Sequence, residues 1–172
     1  MPEPEVEAVI EDLIFENKLI FVAASNTGGY GSRPWPASRL GVFAIHAANE
    51  FGKVDDNMNP QPVPGKDNFA TFGCDVVSYW NGHHRSISGT SFATPVAAAI
   101  AANVLEFARR TQKETVVKGL SRYSAMRRLF REHMTTNNVD GVYHCFHPWA
   151  KGLWDDDADF KNIGQVLKEA SI

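Results

Sequence analysis

The sequence predicts an α/β fold built on a parallel sheet, and three stretches carry that prediction. An amphipathic helical pattern near the N-terminus runs straight into an unbroken apolar segment, residues 19–24. Helix followed at once by strand is the rhythm of a parallel sheet, and a wholly apolar strand implies burial on both faces. A second apolar strand follows at residues 41–45. The third stretch, residues 96–105, is Ala, Val, Ile and Leu nearly all round, which marks a core helix rather than a surface one.

Each element has a local reason. Val6, Val9, Ile10, Leu13 and Ile14 fall at helical spacing, with Pro4 at the start and Asn17-Lys18 at the end. The first strand closes in a small, polar, glycine-containing loop, Ser25-Asn26-Thr27-Gly28. Active groups in parallel sheets gather at the carboxyl ends of strands, and Asn26 lies at such an end. A Gly/Pro loop at 28–36 leads to the second strand. Residues 52–68 hold three prolines and several Asp and Asn, the composition of a surface insertion. Residues 83–88 read as a short extended approach to a turn at Gly89. Thr90 or Ser91 is placed to cap the helix that follows, and Pro95 deprives the Ser91 carbonyl of its helical partner. Arg109 and Arg110 complement the negative end of that helix. Tyr123, Met126, Leu129, Phe130, His133 and Met134 define a second amphipathic helix. The tail, 139–172, mixes aromatics, an acidic cluster and a short helix at 163–170.

The string Gly89-Thr90-Ser91-Phe92-Ala93-Thr94-Pro95, followed by Val96-Ala97, closely resembles the nucleophile motif of the subtilisin-like serine peptidases, the subtilases. In that family the serine after Gly-Thr attacks the scissile carbonyl, and Ser91 matches that position. The apolar run ending Ala23-Ala24-Ser25-Asn26 resembles the subtilase strand whose terminal asparagine donates its amide to the oxyanion hole. Asn26 matches that asparagine, and its separation of 65 positions from Ser91 is close to the family's. The resemblance further implies that the backbone of Ala23, Ala24 and Ser25 lines one wall of the pocket for the side chain before the cleaved bond. Pro36 falls where subtilases can carry a cis-proline. The implied fold is the subtilisin-like parallel-sheet α/β fold, incomplete and represented by its Ser-bearing C-terminal half. On that basis residues 1–134 form a partial catalytic domain and 135–172 an extension of unknown role.

A serine peptidase also needs a base and an acid. In subtilases both precede the asparagine strand in the order Asp, His, Ser. Only 18 residues precede that strand here, and they contain neither an Asp-Thr-Gly-type nor a His-Gly-type motif. The expectation is a serine endopeptidase half, inactive alone, whose partners are a protein or peptide substrate and the N-terminal half of the catalytic domain. The alternative is a catalytically inactive relative that binds peptides or regulates. His46, His83, His84, His133, His144 and His147 match no family base and read as ordinary core or surface histidines.

Composition narrows the remaining choices. A net charge of −3 over 172 residues offers no general nucleic-acid surface or anionic-membrane surface. No apolar run in the sequence approaches the roughly 18 residues of a membrane span. The acidic N-terminus lacks a signal peptide's pattern, and two cysteines give no disulfide framework, so a cytoplasmic location is expected. No cofactor and no metal is expected: His144-Cys145-x-His147, with or without Cys74, has no zinc spacing. Asp155-Asp156-Asp157-x-Asp159 lacks the glycine and distal glutamate of a calcium loop. Arg127, Arg128 and Arg131 read as the wet face of their helix.

Overall fold

Strand β2, Val42–Ala48, is buried along all seven of its residues and is the axis on which the other elements are arranged. The computed structural model describes residues 3–29, 31–137, 142–148 and 160–172. Helix α1, Pro4–Phe15, precedes strand β1, Ile20–Ala23; β2 and β3, Phe69–Phe72, follow. Strands β4, Val76–Trp80, and β5, His83–Ile87, lead into helix α2, Thr90–Thr111. Helices α3, Glu114–Leu120, and α4, Tyr123–His133, are followed by β6, Thr135–Asn137, β7, His144–Phe146, and α5, Phe160–Ala170.

The main sheet has the order β1-β2-β3-β7-β6. β1, β2, β3 and β7 run parallel, and β6 closes the far side antiparallel to β7. The expected parallel-sheet α/β architecture is therefore present. Strands in such a sheet are covered on both faces, and β2 shows how the chain manages it. Phe43, Ile45 and Ala47 share one core with Phe69 and with residues of α2, α4 and α5. Phe43 lies against Phe21 with ring centroids 4.9 Å apart, and Phe130 stacks on Phe146 at 4.3 Å. Ring pairs of this kind add about 0.5–1.5 kcal/mol beyond area burial. On the alternate side, Ala48 and Ala70 form a second core with Tyr143 and Cys145, and Val54 packs against it.

The segment 52–68 is irregular, as its prolines predict, but it is not merely superficial. Asn59 is fully buried and acts as a surrogate strand. Its Oδ1 accepts from Ala47 N at 2.8 Å, while Nδ2 donates to Ala47 O at 2.9 Å. A buried amide needs such partners, and this one supplies both to the β2 backbone.

Helix α2 departs from its expected burial all round. Ala93, Ala97, Ile100, Ala101, Val104 and Ala108 are buried against the sheet, whereas Ala99, Ala102 and Asn103 are exposed. By length and composition it is long enough and apolar enough to cross a membrane, contrary to the reading of the apolar runs. Its packing on β1, β2 and β3 is that of a core helix. β4 and β5 form a separate antiparallel hairpin turned by Asn81 (φ 48°) and Gly82 (φ 79°), the two left-handed residues of a type I′ turn. β7 and α5 also join the main body, with Phe146, Ile163, Leu167 and Ala170 in the first core. The acidic cluster Asp155-Asp156-Asp157-x-Asp159 lies outside the described residues.

His46 sits within β2 with no solvent exposure, and its Nδ1 is 3.0 Å from the Phe69 carbonyl. A carbonyl only accepts, so Nδ1 carries a proton. Burial, helped by the nearby Arg33 charge, lowers its pKa to about 4. The unfolded chain takes up that proton near pH 6.5, so stability is full above that value and falls as pH drops towards 4. The loss attributable to this residue is about 3 kcal/mol across the window. His46→Gln should flatten the pH dependence of urea midpoints between pH 6.5 and 4; an unchanged slope would contradict the assignment.

Candidate active site

The carboxyl ends of β1, β2 and β3 converge on the N-terminus of α2. Ala23 ends β1 opposite Ile45, and the buried Ala24 continues the ladder by donating its N–H to Ile45 O at 2.9 Å. Ala24 is wholly buried, backbone included, while Ala23 and Ser25 on either side are half-buried. Ser25 then adopts φ 108°, a conformation rare for a residue with a Cβ, and Asn26 emerges exposed. Such dihedrals cost of order 1–3 kcal/mol and persist where neighbours over-determine them. Ser25 Oγ lies 3.3 Å from Thr27 Oγ1.

Asn26 and the turn before Ser91, far apart in sequence, are joined directly. Asn26 Oδ1 accepts from Thr90 N at 2.9 Å and from Thr90 Oγ1 at 3.1 Å. This corrects the expected capping. The N-cap residue is Gly89, no side chain of the helix's own caps its N-terminus, and neither Thr90 nor Ser91 serves that role. Asn26 satisfies the first N–H from outside the helix, which leaves the exposed Ser91 hydroxyl uncommitted to the cap. Because Oδ1 is the anchored end, Nδ2 is the amide's free donor end.

Two glycines hold this junction tight. A Cβ on Gly89 would stand 3.2 Å from Asn26 Nδ2, closer than side chains normally sit. Gly89 N donates to Gly73 O at 2.8 Å, tying the turn to the end of β3. A Cβ on Gly73 would meet Ala93 Cβ at 2.7 Å and Ala93 N at 2.9 Å, inside the first turn of α2. Backbone cannot yield as a flexible side chain can, so Gly73→Ala should destabilise by about 1–3 kcal/mol in thermal melts. A variant as stable as the parent would show that α2 does not press on β3 here. Gly73 escaped the sequence reading because nothing in a lone glycine announces which backbone crosses it.

A cleft of about 560 Å³ adjoins the junction, lined by Asn57, Met58, Cys74, Asp75 and Ser88 among others. Its walls are fixed to the site by the bond from Gly28 N to Met58 O, 2.9 Å. The Trp35-Pro36 peptide is cis, at the position the family resemblance pointed to.

The remaining candidate residues lie elsewhere. Among the described residues no histidine hydrogen-bonds to Ser91. His46 is committed to Phe69 O, His83 and His84 belong to β5, and His144 Nε2 is 3.4 Å from Asp67. Cys145 Sγ donates to Gly52 O at 2.9 Å, so it faces away from the His144 and Asp67 pair. Arg128 faces solvent, but Arg127 and Arg131 converge on Asp67, whose side chain is only 8% exposed. The wet face expected of these arginines is therefore partly an ion-pair network that clamps α4 to the segment before β3.

The fold and this junction define a subtilisin-like α/β domain, and comparison with known proteins agrees. The subtilase family profile matches residues 7–146, so the chain belongs to the subtilase family. The subtilisin-like protease het-Q2 of Podospora anserina is 32% identical over 96 residues, which cover 53% of this chain and 26% of that protein. Proteinase R of Parengyodontium album is 35% identical over 94 residues, covering 54% and 24% respectively. The chain thus spans about a quarter of the length of these relatives. The prenylagaramide maturation protease PagA superposes over the whole chain and 57% of its own, with a TM-score of 0.63 and 20% identity. The patellamide maturation protease PatA gives 0.62 over 86% of this chain and 54% of its own, also at 20% identity. At that identity the likeness shows the fold alone.

Proposed function

We propose that the chain is the serine-bearing part of a subtilase-type serine endopeptidase, with Ser91 as nucleophile and Asn26 as oxyanion donor. The observation that carries this reading is the pair of hydrogen bonds from Thr90 to Asn26 Oδ1, which sets a free amide donor beside the serine. In the proposed reaction Ser91 Oγ bonds to the scissile carbonyl carbon and its proton passes to a histidine base. The carbonyl π pair becomes the oxyanion, held by Asn26 Nδ2 and by the Ser91 N–H in the first turn of α2, where helix donors lack intrahelical acceptors. Collapse breaks the C–N bond as the base returns the proton to the leaving amine, and water then hydrolyses the acyl-enzyme.

The base and its orienting acid come from residues outside these 172, in the proposed partner half. The surface supports such a partner. Among the described residues β1 pairs only with β2, so one edge of the sheet is open. Beside it lies a groove of about 850 Å³, where Leu19, Phe21, Ala98, Ala102 and Leu105 are lining residues. An open strand edge flanked by small apolar helix positions calls for another strand and helix.

The test is hydrolysis of a fluorogenic peptide library by this chain and by the protein extended upstream in its gene. Turnover by the extended protein alone is expected. Turnover by the 172-residue chain would overturn the external base, and a folded but inert extended protein would overturn the peptidase reading.

A further inference from the structure

A cavity of about 270 Å³ lies at the starting ends of β2 and β3, the opposite end of the sheet from Ser91. Val42 and Phe69, the first residues of those strands, form its apolar floor, and Arg33, Lys66, Tyr123, Ser124 and Arg127 are among its other walls. Arg33 is 8% exposed, yet it has no carboxylate partner among the described residues. Among the described residues its one hydrogen bond is from Nη2 to the neutral Asn68 Oδ1, and its Nε is buried without an acceptor. A buried guanidinium with an orphaned donor is costly unless an anion completes it.

One wall of the cavity is a carboxylate, Asp67, and it and the acids near the cavity are already engaged. Asp67 takes Arg127, Arg131 and His144, while Glu7 and Glu11 take Arg39. Lys66, like Arg33, is left without an ion pair among the described residues. The N-terminus of α4 opens on the same space, since Tyr123 and Ser124 begin that helix. It has no side-chain cap and no acidic residue in its first turn. The first intrahelical bond there is from Met126 N to Arg122 O, so the N–H groups of Tyr123, Ser124 and Ala125 precede the ladder. Free helix N–H groups and the positive end of the dipole favour an anion.

We propose that this cavity is a binding site for a phosphate-type oxyanion, held by Arg33, Lys66 and the first turn of α4. The site is independent of the peptidase chemistry, and its test reads binding rather than activity. Inorganic phosphate is titrated into the ¹⁵N-labelled chain at constant ionic strength, following the amides of Ser124 and Ala125. Saturable shifts are expected, weakened at least tenfold by Lys66→Glu and by Arg33→Gln, and unchanged by Ser91→Ala. If Arg33→Gln does not fold, the exposed Lys66→Glu decides alone. A parallel titration with O-phosphoserine separates the sources: tighter binding than phosphate identifies a phosphorylated chain, equal or weaker binding the free ion. Shifts no larger than chloride gives, acetate binding as tight as phosphate, or an unaffected Lys66→Glu would each overturn the proposal.

Discussion

Replacing Ser91 by alanine, in the protein that carries the completing residues, is expected to lower kcat for peptide hydrolysis by on the order of 10⁶-fold, the scale of nucleophile deletion in subtilisin. The structure makes this substitution clean. Ser91 is exposed in the first turn of α2, and Asn26 rather than its hydroxyl satisfies the helix N-terminus. Alanine is the better helix former, so nothing in the fold depends on the hydroxyl. The melting temperature should stay within a degree or two of the parent while turnover disappears. A variant that keeps measurable peptidase turnover would place the nucleophile elsewhere.

The second large effect is expected at Asn26, and the two ends of its amide allow a sharp experiment. Asn26→Asp keeps an oxygen where Thr90 N–H and Thr90 Oγ1 need an acceptor, so the junction stays anchored. It removes the Nδ2 donor and sets a carboxylate oxygen where the oxyanion develops. Deleting an oxyanion donor costs about 10²–10³ in kcat, roughly 3 kcal/mol, and the added negative charge deepens the loss. KM should change little, because the lost interaction belongs to the transition state. Asn26→Ala removes the anchor as well, and should also lower stability by about 1 kcal/mol. Equal kcat in Asn26→Asp and the parent would remove Asn26 from the oxyanion hole.

What the sequence made legible follows physical lines. The Asn26 strand and the Ser91 turn were readable because each is a contiguous string whose residue types are fixed by its chemistry. β2 was readable from its apolar run. The β4–β5 hairpin carries a plain signal, Asn81-Gly82 between two extended stretches, yet only 83–88 is read as extended and the pairing of the two stretches is not read at all. β7 was not legible: of its three residues, His144 and Cys145 pair with β3 across 75 positions, and no local periodicity marks so short a buried strand. The same residues raise only the question of a metal site, and their spacing argues against one. The capping of α2 was misplaced for a related reason. Its acceptor comes from Asn26, 64 positions away, while local rules could offer only Thr90 or Ser91. Asp67 drew no attention in a segment read as a surface insertion, although it gathers Arg127, Arg131 and His144.

The measurement that bears most directly on the central claim is covalent labelling by a fluorophosphonate, read by intact mass and peptide mapping. A fluorophosphonate phosphonylates a serine activated by a neighbouring base: the serine oxygen bonds to phosphorus and fluoride leaves. One label per molecule of the upstream-extended protein, mapped to Ser91 and absent from both Ser91→Ala and the 172-residue chain, is the predicted result. A label on another residue, or none on a folded extended protein, would contradict the account.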